Sequence, residues 1–235
     1  MSIFGRNYEE EGHDIPMPER GIKRFFAIFF THFWKLVGVN ILFVLFSLPI
    51  VTLPASLCAM NRVLIKLVRD GNVLLWPEFR DEFKADIFPA MLPGLLFSAL
   101  IFGACFFMSM AFGNGDYPLW CLAFWVAGVS LLLAGVCVGE FYFVMKAELD
   151  LSGMALMKNA VLLALVSPGF SLAGLAIIIA ALFVLAAFMP AAAILILFIL
   201  PAMTQYAVCY IINGVIQKKI IGPYEQMHSE SADLP

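Results

Sequence analysis

The sequence predicts an all-α, polytopic bundle of transmembrane helices, and three observations predict it. Of the 235 residues, 63% are hydrophobic and 13% are charged, against about 45–50% and about 25% in soluble domains. Apolar runs close to the roughly 20 residues that a spanning helix needs recur from Phe25 to Ile221. The charges gather between those runs instead of repeating along them, the pattern of a chain sorted by a bilayer and not of amphipathic helices around a soluble core.

Taken in order, residues 1–21 read as an acidic polar tail carrying Glu9, Glu10, Glu11 and Asp14. The tail lacks the basic-then-apolar order of a cleaved leader, so the first apolar run is expected to remain as an anchor. A membrane domain follows over 22–221, with spans expected at about 25–48, 50–68, 88–112, 119–145, 160–189 and 191–215, and 222–235 forms a second tail. The runs 88–112 and 119–145 contain between them one clear charge, Glu140. The run 50–68 is the weak one. It holds Asn61, Arg62 and Lys66, and a charge at mid-bilayer costs about 2.5–3.5 kcal/mol on insertion scales, so hydropathy alone counts five crossings.

The basic residues argue for six. Short loops rich in Lys and Arg stay in the cytoplasm. Arg6, Arg20, Lys23 and Arg24 precede the first run, Arg69, Arg80 and Lys84 follow the second, Lys146 and Lys158 flank the loop after the fourth, and Lys218 and Lys219 follow the last. The loop 113–118 and the turn at Pro190 have none. If every basic flank is cytoplasmic, the chain returns to the inner face between Arg24 and Arg69, which gives about six membrane segments with both termini inside. The alternative of five crossings must export Arg20, Lys23 and Arg24. In a third variant residues 55–68 dip only partly into the bilayer, shielded by protein as an irregular segment must be; its sidedness is that of the six-segment reading.

Pro49 and Pro54 delimit the turn into the second segment. Proline removes an amide donor and clashes with the preceding turn, so the pair breaks the helix; Thr52 is placed to satisfy a freed carbonyl, and Pro54 fits the first turn of a new helix. That helix is short and amphipathic, with Ala55, Ala59, Val63 and Leu67 on one face and Arg62, Lys66 and Arg69 along another. After Gly71, Phe79, Phe83 and Ile87 recur at helical spacing beside Glu78, Glu82 and Asp86. This predicts a cytoplasmic interfacial helix at about 77–87, its aromatics (Trp76, Phe79, Phe83) either tucked under headgroups or presented as a docking site for a partner.

The strings 46–55 (Phe46 through Pro49, Thr52 and Pro54 to Ala55) and 63–71 (Val63 to Gly71), followed by Phe79 and Phe83-Lys84, resemble the YesL family, also called domain of unknown function 624. The resemblance is clear over 20–93 and continues beyond only as a hydropathy profile. The family usually has glycine where this chain has Leu53. The resemblance implies a multi-pass protein of the bacterial cell membrane with no established activity, often encoded beside carbohydrate-uptake genes, and hence an accessory or regulatory partner of sugar ABC transporter subunits. It supplies no catalytic residues.

No motif for an enzyme is present: there is no G-x-S-x-G, H-E-x-x-H or phosphate-binding loop, and His13, His32 and His228 are far apart. No catalytic, cofactor or metal site is therefore expected. Cys58, Cys105, Cys121, Cys137 and Cys209 lie in or beside apolar runs and read as small packing residues. A net charge of -3 without a long basic run gives no sign of a nucleic-acid surface; the expected partners are the bilayer, the transporter subunits above and a second copy of the chain.

An ionisable group inside a span marks a functional candidate and needs a partner. Glu140 is that group, and Arg62 is the partner the sequence offers; the bland alternative has Glu140 reaching interfacial water beside Lys146. Gln205 and Asn213, with Thr204, Tyr206 and Tyr210, either line a polar cleft or bond neighbouring helices. A small solute transporter or channel is the alternative function, and it would gather Arg62, Glu140, Gln205 and Asn213 around one cavity. A scaffold would leave them at separate helix contacts. Pro190 and Pro201 before Lys218 and Lys219 also echo the order of Pro49, Pro54 and Lys66, as an internal repeat would.

Overall fold

The computed structural model describes residues 21–71, 73–112, 119–149, 151–189 and 192–222. The two tails, the loop 113–118 and Pro190 lie outside them, and with them the acidic tail, His13, His228, Arg6 and Arg20. The described residues are predominantly helical, with no strand among them. The helices are α1 (Ile22–Thr31), α2 (Phe33–Ser47), α3 (Leu53–Asp70), α4 (Leu75–Asp86), α5 (Met91–Phe112), α6 (Leu119–Leu133), α7 (Gly139–Glu148), α8 (Gly153–Val166), α9 (Pro168–Ala187), α10 (Ala192–Phe198) and α11 (Leu200–Ile216). A π-helical segment, Ala134–Val138, joins α6 to α7.

Among the described residues four helices are long and apolar enough to cross a membrane: Ile50–Asp70, Met91–Ala111, Trp120–Glu148 and Pro168–Ala187, with a fifth if the bent pair α1 and α2 counts as one span. The expected boundaries change in three places. The run 25–48 is two helices bent by 75° at His32, because α1 is held elsewhere: the Arg24 guanidinium donates to the Val68 and Arg69 carbonyls, and the Phe25 ring stacks on Tyr206. The run 160–189 is broken at Ser167, since Pro168 cannot continue the hydrogen-bond ladder of α8 and begins α9 instead. The run 191–215 is broken at Ile199, just before Pro201 in the first turn of α11.

α3 is the centre of the fold. In its candidate span 61% of residues are buried by protein, against 11–22% in the other three. Its neighbours are α2, α4, α7 and α11. The basic residues of this segment therefore face protein rather than lipid, which is why a sequence that hydropathy places in doubt still forms an 18-residue helix. The turn before it is closed by Thr52, whose hydroxyl donates to the Phe46 and Pro49 carbonyls at 2.6 and 2.7 Å. Leu53, where the related family has glycine, is right-handed helical at φ -53°, so nothing at that position demands glycine. Glycine is required where α3 ends: Gly71 caps the helix at φ 77° and returns its amide to the Leu67 carbonyl.

That cap turns α4 back along α3. Instead of lying under headgroups, Phe79 is fully buried, packed between Phe46 and Phe83, while Trp76 remains half exposed. The expected interfacial helix is thus part of the core on one side. α5 and α6 form a long antiparallel pair: Gly128 meets Ala104 and Met108, Gly135 meets Leu100 and Ile101, and Phe107 stacks on Phe124. The outward faces of this pair and of α9 carry exposed apolar side chains such as Phe102, Phe106, Leu122 and Phe183.

Candidate functional site

The polar residues inside this apolar protein concentrate where the C-terminal ends of α3, α7 and α11 meet α4 and α1. α3 contributes Asn61, Arg62, Lys66 and Arg69 along the face that its apolar stripe leaves over. Because α4 runs antiparallel to α3, Glu78 lies directly opposite: the Lys66 ammonium is bonded to Glu78 Oε1, and Arg62 Nε lies 3.9 Å from Glu78 Oε2. Arg62 also donates to the Ala147 carbonyl at 2.8 Å, tying α3 to α7. Lys146 of α7 pairs with Asp86 of α4 at 2.8 Å, and Gln217 beyond α11 donates to Glu148 at 3.1 Å. Lys66, Glu78, Asp86 and Glu148 are all buried. Buried charges are tolerated when each has a counter-charge or a strong donor at hand, and this layer supplies one to each.

The pairing of Arg62 with Glu140 is corrected by this geometry. The tight hairpin closed at Gly71 delivers Glu78 to Arg62 and Lys66, so the nearby acid takes the place assigned to a distant one. Glu140 instead accepts a hydrogen bond from Gln205 Nε2 at 2.9 Å, across the contact between α7 and α11. It lines a narrow cleft of about 10 Å³, room for about one water, with Cys137, Phe170, Ser171, Gly174 and Ile212, immediately after the π-helical segment. Arg62, Gln205 and Asn213 are not among the residues lining that cleft. Asn213 is buried, and its amide nitrogen has no hydrogen-bond partner among the described residues.

The remaining polar residues of α11 hold helices together. Tyr206 donates to the Phe25 carbonyl at 2.9 Å and Tyr210 to the Gly21 carbonyl at 2.7 Å, which fastens the start of α1; Thr204 bonds back to Leu200 within its own helix. Among the described residues no group of His, Cys, Asp and Glu could hold a metal ion. Cys58, Cys121 and Cys209 are buried as free thiols.

Sequence reasoning missed Asn40. Fully buried in α2, it donates from Nδ2 to the Ile196 and Leu197 carbonyls at 2.9 and 2.8 Å, and its Oδ1 accepts the Ala202 amide at 2.8 Å. Leu197 is the carbonyl that residue 201 would serve in an unbroken helix, and Pro201 has no amide hydrogen to give. One asparagine therefore repairs the break between α10 and α11. The available signal was a lone amide in the apolar run 36–46, together with an unexplained proline at the head of the last helix.

The model of a family described as a protein of unknown function, DUF624, matches residues 36–108, and the resemblance to the YesL family agrees with that match. The matched stretch runs from α2 through the Pro49–Pro54 turn, α3 and α4 into α5. No curated protein and no solved structure matches the chain.

Proposed function

We propose that this helical membrane protein is a non-enzymatic accessory or regulatory subunit of a bacterial carbohydrate uptake system, resident in the cell membrane with both termini on the cytoplasmic side. The observation that carries the reading is how its polar side chains are used. A transport path gathers polar groups around a shared cavity near mid-membrane. Here Arg62 and Lys66 close on Glu78 and Lys146 on Asp86 within one layer of ion pairs, Gln205 closes on Glu140 and Asn40 on a helix break, and neither Arg62 nor Gln205 nor Asn213 lines the Glu140 cleft. That is the economy of a scaffold. The link to carbohydrate uptake comes from the resemblance to the YesL family, and the broad apolar faces of α5, α6 and α9 offer the area on which the membrane subunits of a sugar ABC transporter, or a second copy of the chain, would pack.

The test is co-expression with the permease subunits of a sugar ABC transporter, extraction in mild detergent, and measurement of labelled-sugar uptake with and without the chain. Co-purification in fixed ratio with a changed uptake rate supports the proposal. Sugar accumulation by proteoliposomes containing the purified chain alone overturns it and favours a second reading, a small solute transporter acting at the Glu140 cleft; in that case Glu140→Gln abolishes the accumulation.

A further inference from the structure

We infer that α2 and α3 form a re-entrant hairpin: its apolar tip, 48–53, lies among the acyl chains of the bilayer and does not emerge on the far side. The level of that tip along the bundle is fixed by three contacts. Pro54, at the start of α3, abuts α5 at Gly94, where a Cβ would lie 2.2 Å from the Pro54 ring. One turn on, Phe97 packs against Gly139, at 3.4 Å from where a Cβ would be. Arg62 then bonds the Ala147 carbonyl, so α3 and α7 run side by side in the same direction. From Pro54 to Arg62 and from Gly139 to Ala147 the rise is the same, about 12 Å. Pro54, Gly94 and Gly139 therefore stand within about one helical turn of one level.

The α5–α6 pair continues well past that level. α5 runs on from Gly94 to Phe112, and the helix Trp120–Glu148 reaches back from Gly139 to Trp120. At about 1.5 Å per residue each extends about 27–29 Å beyond the level of Pro54, nearly the whole thickness of a hydrocarbon core of about 30 Å. With this arm across a core of about 30 Å, Pro54 stands just inside the near face, so the tip enters the acyl layer only shallowly and falls short of the far face by most of the core.

The chemistry of the tip fits acyl chains and not water. Leu48, Ile50 and Val51 are 71%, 83% and 64% exposed, and from Ile41 to Met60 the sequence has no charge and no amide side chain. The hydroxyls there are turned inward onto the chain: Ser47 donates to Val44, Thr52 to Phe46 and Pro49, and Ser56 to Thr52. A non-helical turn inside a membrane has to satisfy its own backbone in this way, because lipid offers no partner. With α2 and α3 entering and leaving by one face, the crossings are α5, α6 with α7, α9, and α10 with α11. Their number is even, so the basic flanks at Arg24, Arg69, Lys146 and Lys218 remain on one side.

Single cysteines placed in the full-length chain after replacement of its five native ones test this. The positions are Ile50→Cys at the tip, Asp116→Cys between α5 and α6, and Lys218→Cys after α11. Membrane-impermeant maleimide is applied to right-side-out and inverted vesicles, and a nitroxide on the same residues is read by its collision with dissolved oxygen and with an aqueous nickel chelate. Asp116→Cys and Lys218→Cys are expected to label from opposite sides. Ile50→Cys is expected to label at least tenfold more slowly from either side, with its nitroxide reached by oxygen and not by nickel. Labelling of Ile50→Cys from the side of Asp116 means that the hairpin crosses, and labelling from the side of Lys218 means that it never enters; either result overturns the inference.

Discussion

Replacing Asn40 by leucine removes a side chain of similar size and deletes three hydrogen bonds at once. The Ile196 and Leu197 carbonyls and the Ala202 amide lose their partner, at a site that is completely buried. A buried polar group left without a partner costs about 1–3 kcal/mol, while interhelical hydrogen bonds in membrane proteins average about 0.6 kcal/mol because the membrane-unfolded chain finds substitutes. Three groups at a value between these limits give a loss of about 3 kcal/mol. Because the need for Asn40 originates in Pro201, the loss depends on that proline. In a Pro201→Ala background the amide of residue 201 returns, α10 and α11 can join, and Asn40→Leu is expected to cost about 1 kcal/mol. The assay is reversible unfolding in mixed micelles with increasing denaturing detergent, followed by far-ultraviolet circular dichroism for the four chains of the cycle. An Asn40→Leu loss below about 0.5 kcal/mol, or one that is equal in both backgrounds, refutes the assignment of Asn40 as the repair of this break.

Three further outcomes follow from the packing. Glu78→Gln leaves Lys66 and Arg62 buried without their counter-charge and is expected to cost about 3–5 kcal/mol by the same unfolding measurement, whereas the joint change of Lys66→Met and Glu78→Leu recovers most of the loss. Gly94→Ala puts a carbon 2.2 and 2.6 Å from the Cγ and Cβ of Pro54 and is expected to cost about 1–3 kcal/mol; Pro54→Ala in the same chain removes the nearer atom and keeps the Cβ, so it should relieve part of the loss, and equal stability of Gly94→Ala and the parent would show that the two helices do not meet there. Exchanging charges by Arg62→Glu with Glu140→Arg should give a folded yield no better than either single change, because each residue has another partner; rescue by the swap would restore the pairing that the sequence suggested.

The helical membrane class was legible in composition and run length alone, because insertion depends on summed apolar area and little on detail. The breaks were legible only in part. Pro49, Pro54 and Gly71 act through local backbone geometry, and a reader of sequence can use them directly. The bend at His32 is imposed by contacts of Arg24 and Phe25 with α3 and α11, more than forty residues away, and no local pattern encodes it. The same holds for the candidate site. Arg62 and Glu140 were identifiable as exceptions in apolar runs, but their partners depend on which helices become neighbours. The α3–α4 turn decides in favour of Glu78, an acid that the sequence displays among the charges of a surface helix. Asn40 stayed hidden because its role exists only opposite Pro201.

Residues 36–108, the part that matches the family model, hold one side of three contacts at the centre of the fold: Asn40 toward the α10–α11 break, Arg62 toward α7, and Asp86 toward Lys146. The same stretch carries both halves of the Lys66–Glu78 pair and the whole apolar hairpin tip. α6 to α11 lie outside the match; α6 and α9 supply apolar faces, and α7, α10 and α11 supply the partners for those groups. A role that depends on the buried polar layer therefore has to be sought by changing α3 and α4, where one substitution disturbs several helix contacts. A role in recruiting another membrane protein has to be sought on the outward faces of α5, α6 and α9, where substitutions such as Phe106→Ala or Phe183→Ala leave the layer intact. Separate effects of the two kinds of change on stability and on transporter association would distinguish what holds this protein together from what it holds.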